Sequence, residues 1–204
     1  YDYLEHMELS GLLRKLHTAR TIYCFGTGYA QRNAVQEFAK SMQVCGKFCH
    51  VIPARNEFES TMSAMNQDDV VILVSFSGQT ENMREHVKML ALRKIPMIAI
   101  TAIGVNFMSS YAEYSLHYQT TPTQLSTQRK PYHSFVALSV LLDYIVRRYI
   151  DHVETQQRGN STKTAQVLES SEFSAETGAL DVADIRAQAG AVAIDRQHTD
   201  PSET

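Results

Sequence analysis

The sequence predicts a three-layer α/β/α fold, with helices on both faces of a five-stranded parallel sheet of flavodoxin-like strand order 2-1-3-4-5. First, strand and helix patterns alternate five times along the chain. Second, the central run Val70–Val74 is wholly apolar and mostly β-branched, which is typical of a strand buried on both faces. Third, glycine- and hydroxyl-containing turns follow the first and third strands, which this order makes neighbours.

The first half of the chain alternates between amphipathic helices and short apolar strands. The pattern predicts a helix over residues 1–20, a strand over 21–25, a helix over 29–44, a strand over 48–52 and a short helix over 56–65. Pro53 ends the second strand. Asn56 is the expected N-cap of the short helix, with Glu59 as its capping-box partner.

The second half continues the alternation and closes with a long helix. The pattern predicts a strand over residues 70–74, a helix over 80–93, a strand over 96–101, a short helix over 106–111, a strand over 114–118, a polar loop over 119–130 and a helix over 131–152. Pro131 is expected near the first turn of the last helix. That helix is apolar on more than one face, which indicates deep core or a subunit contact.

Composition restricts the class of protein. A chain of 204 residues with 44% hydrophobic and 20% charged residues is typical of one globular domain. Residues 156–204 carry eight acidic and four basic residues and are expected to form a mostly disordered acidic tail. The net charge of −3 gives this chain no reason of its own to bind nucleic acid.

The cysteines and the hydropathy indicate where the protein works. Three cysteines cannot all pair, and a reducing cytoplasmic setting is the simpler account. No run approaches the roughly 18 apolar residues that a membrane span needs, so no membrane partner is expected.

The segment after the central strand has the composition of an anion site. Ser75, Ser77, Gly78, Gln79 and Thr80 combine hydroxyl groups and a permissive glycine with the start of a predicted helix. The free N–H groups of a helix start and nearby hydroxyl donors are what a phosphate group needs. The alternative is an ordinary strand-to-helix loop in which Thr80 is the helix N-cap.

A second loop, Gly26, Thr27 and Gly28, follows the first strand. A dinucleotide fingerprint is not indicated, because its third glycine would fall at Gln31 and the next strand ends without an acidic residue. Two interpretations remain: the glycines only permit a sharp turn, or the turn faces a ligand bound at the neighbouring strand. We expect no cofactor and no metal site, since the eight histidines are scattered.

The segment 75–80 after its Val/Ile strand, together with residues 22–28, resembles the SIS (sugar isomerase) domain over residues 20–155. The resemblance implies that Ser75, Ser77 and Thr80 bind the phosphate of a phosphosugar. It also implies that Gly78 permits close approach of the backbone to that phosphate. Gln79 stands where the family commonly has glutamate, and could donate a side-chain hydrogen bond.

One departure concerns the first loop. Members of the family often place a serine shortly after the second glycine, where this chain has Tyr29 and Ala30. The sequence therefore predicts a pocket that lacks this hydroxyl and is weaker or shaped for a different ligand.

Within the family, the chain resembles bacterial transcriptional regulators of the RpiR type. The shared features are the leading helix, Asp68 and Asp69 before the central strand, the polar loop 119–130, and Leu142-Asp143-Tyr144 in the last helix. The resemblance implies a homodimer or homotetramer that senses a sugar phosphate and controls carbohydrate-metabolism genes. DNA would be bound only through a preceding helix-turn-helix domain, with residues 1–19 as the leading helix or linker from it.

Two other classes of function are open. A free-standing phosphosugar isomerase would need a base and an acid near the sugar, and the candidates are His117, His133, Glu57 and Glu59. No glutamate is paired with a histidine at a local spacing, so we expect no catalytic residue and favour a sensor. The third class is a structural or interaction domain with no ligand.

Overall fold

The computed structural model describes residues 7–102, 104–124, 126–127 and 131–158. The chain divides into two units, Tyr1–Val153 and Glu154–Thr204. The first unit contains α1 (Ser10–Thr18), β1 (Ile22–Gly26), α2 (Tyr29–Val44), β2 (Cys49–Val51), α3 (Arg55–Ser63), β3 (Val70–Val74), a 3-10 helix (Glu81–Met83), α4 (Arg84–Leu92), β4 (Met97–Ala102), α5 (Phe107–Tyr111), β5 (Tyr114–Tyr118), β6 (Pro122–Thr123), β7 (Tyr132–His133) and α6 (136–153).

The five long strands form a parallel sheet of order β2-β1-β3-β4-β5, which confirms the predicted fold class and strand order. β3 lies in the middle of the sheet and is buried along its whole length. In the register of β1 and β3, Gly26 pairs with Val74. The two strands therefore end at the same level, and the loops that follow them start side by side.

Two hydrophobic clusters cover the two faces of the sheet. Alternate residues of a strand point to opposite faces, and in β3 Val70, Ile72 and Val74 belong to one cluster. Val71 and Leu73 belong to the other. The first cluster includes residues of α1, α2 and α6, and the second includes residues of α3, α4 and α5. The continuous apolar run of β3 is thus explained by burial from both sides.

The predicted cap at Asn56 is wrong. Helix α3 begins at Arg55, so Asn56 lies inside the first turn, and the preceding Ala54 makes no side-chain cap. A side-chain cap occurs instead at Asn106, whose side chain accepts a hydrogen bond from Ser109 N at the start of α5. The two asparagines differ in position: Asn106 immediately precedes its helix, whereas Asn56 is already the second residue of α3.

The predicted start of the last helix at Pro131 is also wrong. Pro122–Thr123 pairs antiparallel with Tyr132–His133, so a small hairpin stands where the sequence predicted only a polar loop. Pro131 lies directly before the second strand of this hairpin, and α6 begins at residue 136. Proline is as compatible with the start of an edge strand as with the first turn of a helix, so the residue alone does not decide between them.

The ends of the chain are described only in part. Residues 154–158 of the second unit are helical, so the predicted tail starts within a helix. Residues 159–204, which include most of the predicted tail, and residues 1–6 of the predicted leading helix lie outside the described residues. Within the described part of that leading segment, α1 begins only at Ser10. No helix within the described ranges is long and apolar enough to span a membrane.

Candidate functional site

The two loops that the sequence predicted to converge lie side by side. Thr27 N donates a hydrogen bond to Val74 O at 2.9 Å, which ties the loop after β1 to the end of β3. We refer to residues 75–80, which follow β3, as the cradle loop. Gly26 is the last residue of β1, and the other seven predicted site residues belong to these two loops: Thr27, Gly28, Ser75, Ser77, Gly78, Gln79 and Thr80.

Three hydroxyl groups from the two loops form a chain of hydrogen bonds. Thr27 Oγ1 donates to Ser75 Oγ at 3.2 Å, and Ser75 Oγ lies 3.2 Å from Thr80 Oγ1. Thr80 occupies the position before the 3-10 helix but makes no capping hydrogen bond there. Thr80 is thus at the N-cap position, as the alternative predicted, but its hydroxyl contacts Ser75 instead of capping the helix.

The two serines of the cradle loop have different environments. Ser75 is fully buried, and its Oγ also accepts a hydrogen bond from Gly78 N at 3.1 Å. Ser77 is exposed, and its Oγ accepts from Gln79 N at 3.2 Å. Ser75 thus has protein partners on every side and pins the loop, whereas the Ser77 hydroxyl can still donate to a ligand.

Gly78 is the residue that makes the tight turn of the cradle loop. Its φ of +62° lies in the left-handed region, which glycine adopts without strain. A Cβ atom at this position would also collide with the side chain of Asn106. Gly78 O accepts a hydrogen bond from Met108 N at 3.0 Å, so the loop is anchored to the first turn of α5.

At the end of β1, close packing accounts for Gly26. A Cβ atom on Gly26 would collide with the backbone of Gln31 and Arg32, because the first turn of α2 lies directly on the end of β1. Gly28 precedes α2 in an extended conformation. Of the three residues predicted in this loop, only Thr27 has a side chain, and that side chain reaches the cradle loop.

A buried polar pair under the loops was missed by the sequence analysis. Gln31 of α2 is 4% exposed and Tyr118 of β5 is 3% exposed. Tyr118 Oη donates to Ser75 O at 3.4 Å. Burial raises the pKa of Tyr118, and a hydrogen bond with Gln31 opposes that rise. The available signal was Gln31 itself, a polar residue on the same helical stripe as the buried Val35.

A cavity of about 390 Å³ adjoins the cradle loop. The loops after β3, β4 and β5 form its walls, and its lining consists of Phe76, Ser77, Ala102, Gly104, Val105, Asn106, Gln119, Thr120 and Thr121. These residues offer hydroxyl, carboxamide and backbone groups, and none of them has an ionisable side chain. Such a surface suits a neutral molecule or group that bears several hydroxyls.

The guanidinium group of Arg84 stands beside the cradle loop. It stacks 4.6 Å from the centre of the Phe107 ring, and Arg84 Nη2 lies 3.5 Å from Gln79 Oε1. Its Nε lies 2.9 Å from a carboxylate oxygen of Glu81. The Gln79 side chain is therefore engaged with Arg84, and the nearby positive charge is already paired.

The residues weighed as acids or bases are not grouped. His117 Nδ1 lies 3.0 Å from Thr101 Oγ1, and His133 Nδ1 lies 3.3 Å from Thr120 Oγ1. Glu57 and Glu59 are exposed on α3. Within the described ranges, no group of three or more His, Cys, Asp and Glu residues could hold a metal ion.

Comparison with known proteins gives a family match and a shared fold. The sequence model of the SIS domain family matches residues 15–147. The chain is 23% identical over 158 residues to the HTH-type transcriptional regulator GlvR of Bacillus subtilis; the match covers 78% of this chain and 62% of that protein. The chain thus spans less than two thirds of that relative.

Two solved structures share the fold at low sequence identity. One is the sugar isomerase domain of an RpiR transcription factor from Sphaerobacter thermophilus, with a TM-score of 0.64, 14% identity, and coverage of 81% of this chain and 90% of that one. The other is Vibrio vulnificus NanR complexed with ManNAc-6P, with a TM-score of 0.64, 22% identity, and coverage of 81% and 62%. Further chains of this fold are described as candidate phosphosugar isomerases.

Proposed function

The chain belongs to the SIS domain family, and on that basis we propose that it is the sugar-phosphate-binding domain of a bacterial RpiR-type transcriptional regulator. The observation that carries the proposal is the hydroxyl cluster of Thr27, Ser75 and Thr80 beside the left-handed turn at Gly78. The similarity to a curated HTH-type regulator supports the regulatory part.

The phosphate group would be held by the cradle loop. Ser77 has an exposed hydroxyl. Of the first three N–H groups of the helical segment that begins at Glu81, that of Met83 donates to Thr80 O at 2.9 Å, which leaves those of Glu81 and Asn82 for a ligand. Hydroxyl and amide donors that point to one place bind an anion without a buried cation, and the helix dipole favours negative charge there. Ser75 would contribute by holding the loop in shape.

The sugar would occupy the adjacent cavity. Its volume of about 390 Å³ falls within the range of roughly 300–1,000 Å³ that is usual for small-molecule sites. Its hydroxyl and carboxamide lining can exchange hydrogen bonds with sugar hydroxyls. The complex of the related NanR with ManNAc-6P is the precedent for a sugar phosphate as ligand.

We propose that the ligand changes the activity of a DNA-binding domain outside this chain. A ligand can shift an equilibrium between two states only if it binds them with different affinities. DNA would be contacted only by a helix-turn-helix domain of the kind named for GlvR. The protein would act in the cytoplasm on genes of carbohydrate metabolism.

The regulator would be a homodimer or a homotetramer. A surface groove of about 830 Å³ runs between α2 and the start of α6, and its lining includes the exposed side chain of Tyr132, which is 62% exposed. At its edge Val136 is 68% exposed. Two copies joined through this groove would cover these apolar side chains. Sedimentation at several concentrations measures this directly, and a monomer at micromolar concentration would contradict it.

A phosphosugar isomerase is the second candidate, because chains of the same fold are described in that way. His133 is the residue best placed for proton transfer, since its hydrogen-bond partner Thr120 lines the cavity. Incubation with a panel of aldose and ketose phosphates, followed by analysis of the products, tests this candidate. Turnover that is lost in His133→Gln would favour the enzyme over the sensor.

A thermal-shift panel tests the proposed function. The full chain is heated alone, with hexose and amino-sugar phosphates, with inorganic phosphate and with the unphosphorylated sugars. We expect sugar phosphates to raise the melting temperature and free sugars to have little effect, because binding to the native state alone stabilises it.

Three variants locate the effect. Ser77→Ala and Thr80→Ala should abolish the shift, whereas Ser63→Ala, an exposed serine of α3, should preserve it. An equal shift with free sugars would contradict the assignment of the cradle loop to phosphate.

A further inference from the structure

Asn106 is buried against the cradle loop and was not predicted to take part in the site. It is 5% exposed and lines the 390 Å³ cavity together with Ser77. Its side chain packs so closely on Gly78 that a single added carbon at position 78 would collide with it. Asn106 therefore contacts both the turn of the cradle loop and the space beside it.

The carboxamide of Asn106 is held in one orientation by three hydrogen bonds. Nδ2 donates to Thr101 Oγ1 at 2.9 Å and to Gly104 O at 3.0 Å. Oδ1 accepts from Ser109 N at 3.0 Å. Thr101 is fully buried, so the side chain is fixed from β4, from the following loop and from α5. A side chain fixed in this way can act as a rigid support for its neighbour.

Gly78 needs such a support. Glycine adopts positive and negative φ about equally well, so its own chemistry does not hold the turn at +62°. Two contacts act on it from the α5 side: the packing of Asn106 and the hydrogen bond from Met108 N to Gly78 O. Rotation at Gly78 would redirect the amide of Gln79 and with it the Ser77 hydroxyl that this amide contacts.

We propose that Asn106 is a positioning residue for the phosphate site: its locked carboxamide holds Gly78 in the left-handed conformation and so sets the donors of the cradle loop. The inference rests on the proposed binding of a phosphate ester. Asn106 also caps α5, and that structural role must be separated from positioning. Serine is about as good an N-cap as asparagine, but it is too short to reach Gly78 and Thr101 in the same way.

The test compares Asn106→Ser with the wild type in two measurements on the full chain. Hydrogen–deuterium exchange without ligand reports on residues 76–80, and titration with inorganic phosphate and a hexose 6-phosphate reports affinity. We expect exchange in the cradle loop to become faster. The Kd should rise about tenfold, as expected when donors to an anion are misplaced. The melting temperature should fall less than in Asn106→Ala, because the cap is kept while the hydrogen bonds to Thr101 and Gly104 are lost.

Two further variants serve as controls. Ser109→Ala removes a hydroxyl at the same helix end, one that donates only to Asn106 O, and should leave exchange and affinity unchanged. Asn106→Ala removes the cap as well and should lower the melting temperature in addition to the effects of Asn106→Ser.

The outcomes separate the two proposals. If Asn106→Ser exchanges and binds like the wild type, or exchanges faster but binds equally well, the positioning role is overturned. If the wild type binds no phosphate ester, the proposed function is wrong. In that case hydrogen–deuterium exchange alone tests whether Asn106 holds the cradle loop. Equal exchange rates in Asn106→Ser and the wild type would show that it does not.

Discussion

The ring of Phe76 lies 4.7 Å from the ring of His133, centre to centre, with the two planes inclined at 60°. A second edge-on contact joins Phe76 to Phe135 at 5.9 Å. Phe76 stands between the two serines of the cradle loop and lines the 390 Å³ cavity, whereas His133 and Phe135 line the groove between α2 and α6. The cavity and the groove thus share one aromatic wall.

Replacing Phe76 should lower the stability of the fold. In Phe76→Leu we expect the free energy of unfolding to fall by about 1 kcal/mol, because both edge-to-face contacts are lost while most apolar area is kept. Urea denaturation measures the change. Phe48→Leu is the matched control, since Phe48 is 61% exposed, and equal effects of the two variants would mean that the aromatic contacts add nothing.

The tight turn of the cradle loop should not tolerate a side chain. Gly78→Ala should lose phosphate binding, and its free energy of unfolding should fall by more than the roughly 1–2 kcal/mol expected for a left-handed alanine alone. Gly46→Ala is the control, because Gly46 also has a positive φ, of +77°, but has open space around it. Urea denaturation and phosphate titration of both variants provide the comparison. Equal losses of stability would show that the collision with Asn106 has no cost.

The hydroxyl of Tyr118 should contribute to the shape of the cradle loop. Tyr118→Phe removes its donation to Ser75 O and should lower the free energy of unfolding by about 1 kcal/mol, with weaker binding of sugar phosphate. In the double variant Tyr118→Phe/Gln31→Leu, the loss of unfolding free energy should be smaller than the sum of the losses in the two single variants. The reason is that both partners of the buried pair are then apolar, so neither is left without a hydrogen bond. Denaturation of the single and double variants tests this, with Tyr111→Phe on the partly exposed Tyr111 as control. Strict additivity would contradict the pairing.

Stability at acid pH should depend on Asp69, which is fully buried at the start of β3. Arg20 Nη2 lies 2.7 Å from Asp69 Oδ2 and Arg20 Nε lies 3.0 Å from Oδ1. Burial acts to raise the pKa of Asp69, but hydrogen bonds from Arg20 and from the Asn66 amide outweigh it and lower the pKa. The folded-state pKa is thus below the unfolded one. The stabilisation is complete above the unfolded pKa and is lost as pH falls through the folded pKa.

Asp69→Asn should therefore lower the free energy of unfolding by about 1.5 kcal/mol at pH 7, the low end for a charged hydrogen bond because the Arg20 side chain is half exposed. The difference from wild type should shrink below about pH 4. Urea denaturation at pH 7 and at pH 3.5 measures both values. Asp68→Asn is the control, because the Asp68 side chain is exposed and only its backbone oxygen contacts Arg20. If wild type and Asp69→Asn differed by the same unfolding free energy at both pH values, ionisation of the Asp69 carboxyl group would not be the source of the stabilisation.

The fold could be predicted because its main signals are local. The run Val70–Val74 and the helical stripe of α2 each identify an element without reference to the rest of the chain, and helix bounds 29–44 and strand bounds 114–118 match those observed. Alternation of strands and helices then leaves few topologies. The hairpin of β6 and β7 and the start of α6 were missed because they depend on pairing across a polar loop that has no strong local pattern.

The sequence alone determined the α/β class, the central strand and the two loops in which the candidate site lies, because hydrophobic periodicity and turn residues act over a few neighbouring positions. Only the tertiary structure decided what each polar residue does. It turned the Ser75 hydroxyl inward, and it brought Tyr118 and Asn106 against the cradle loop from other strands and helices. A hydrogen bond or a close contact depends on the distance between atoms, and for residues far apart in the chain packing alone sets that distance.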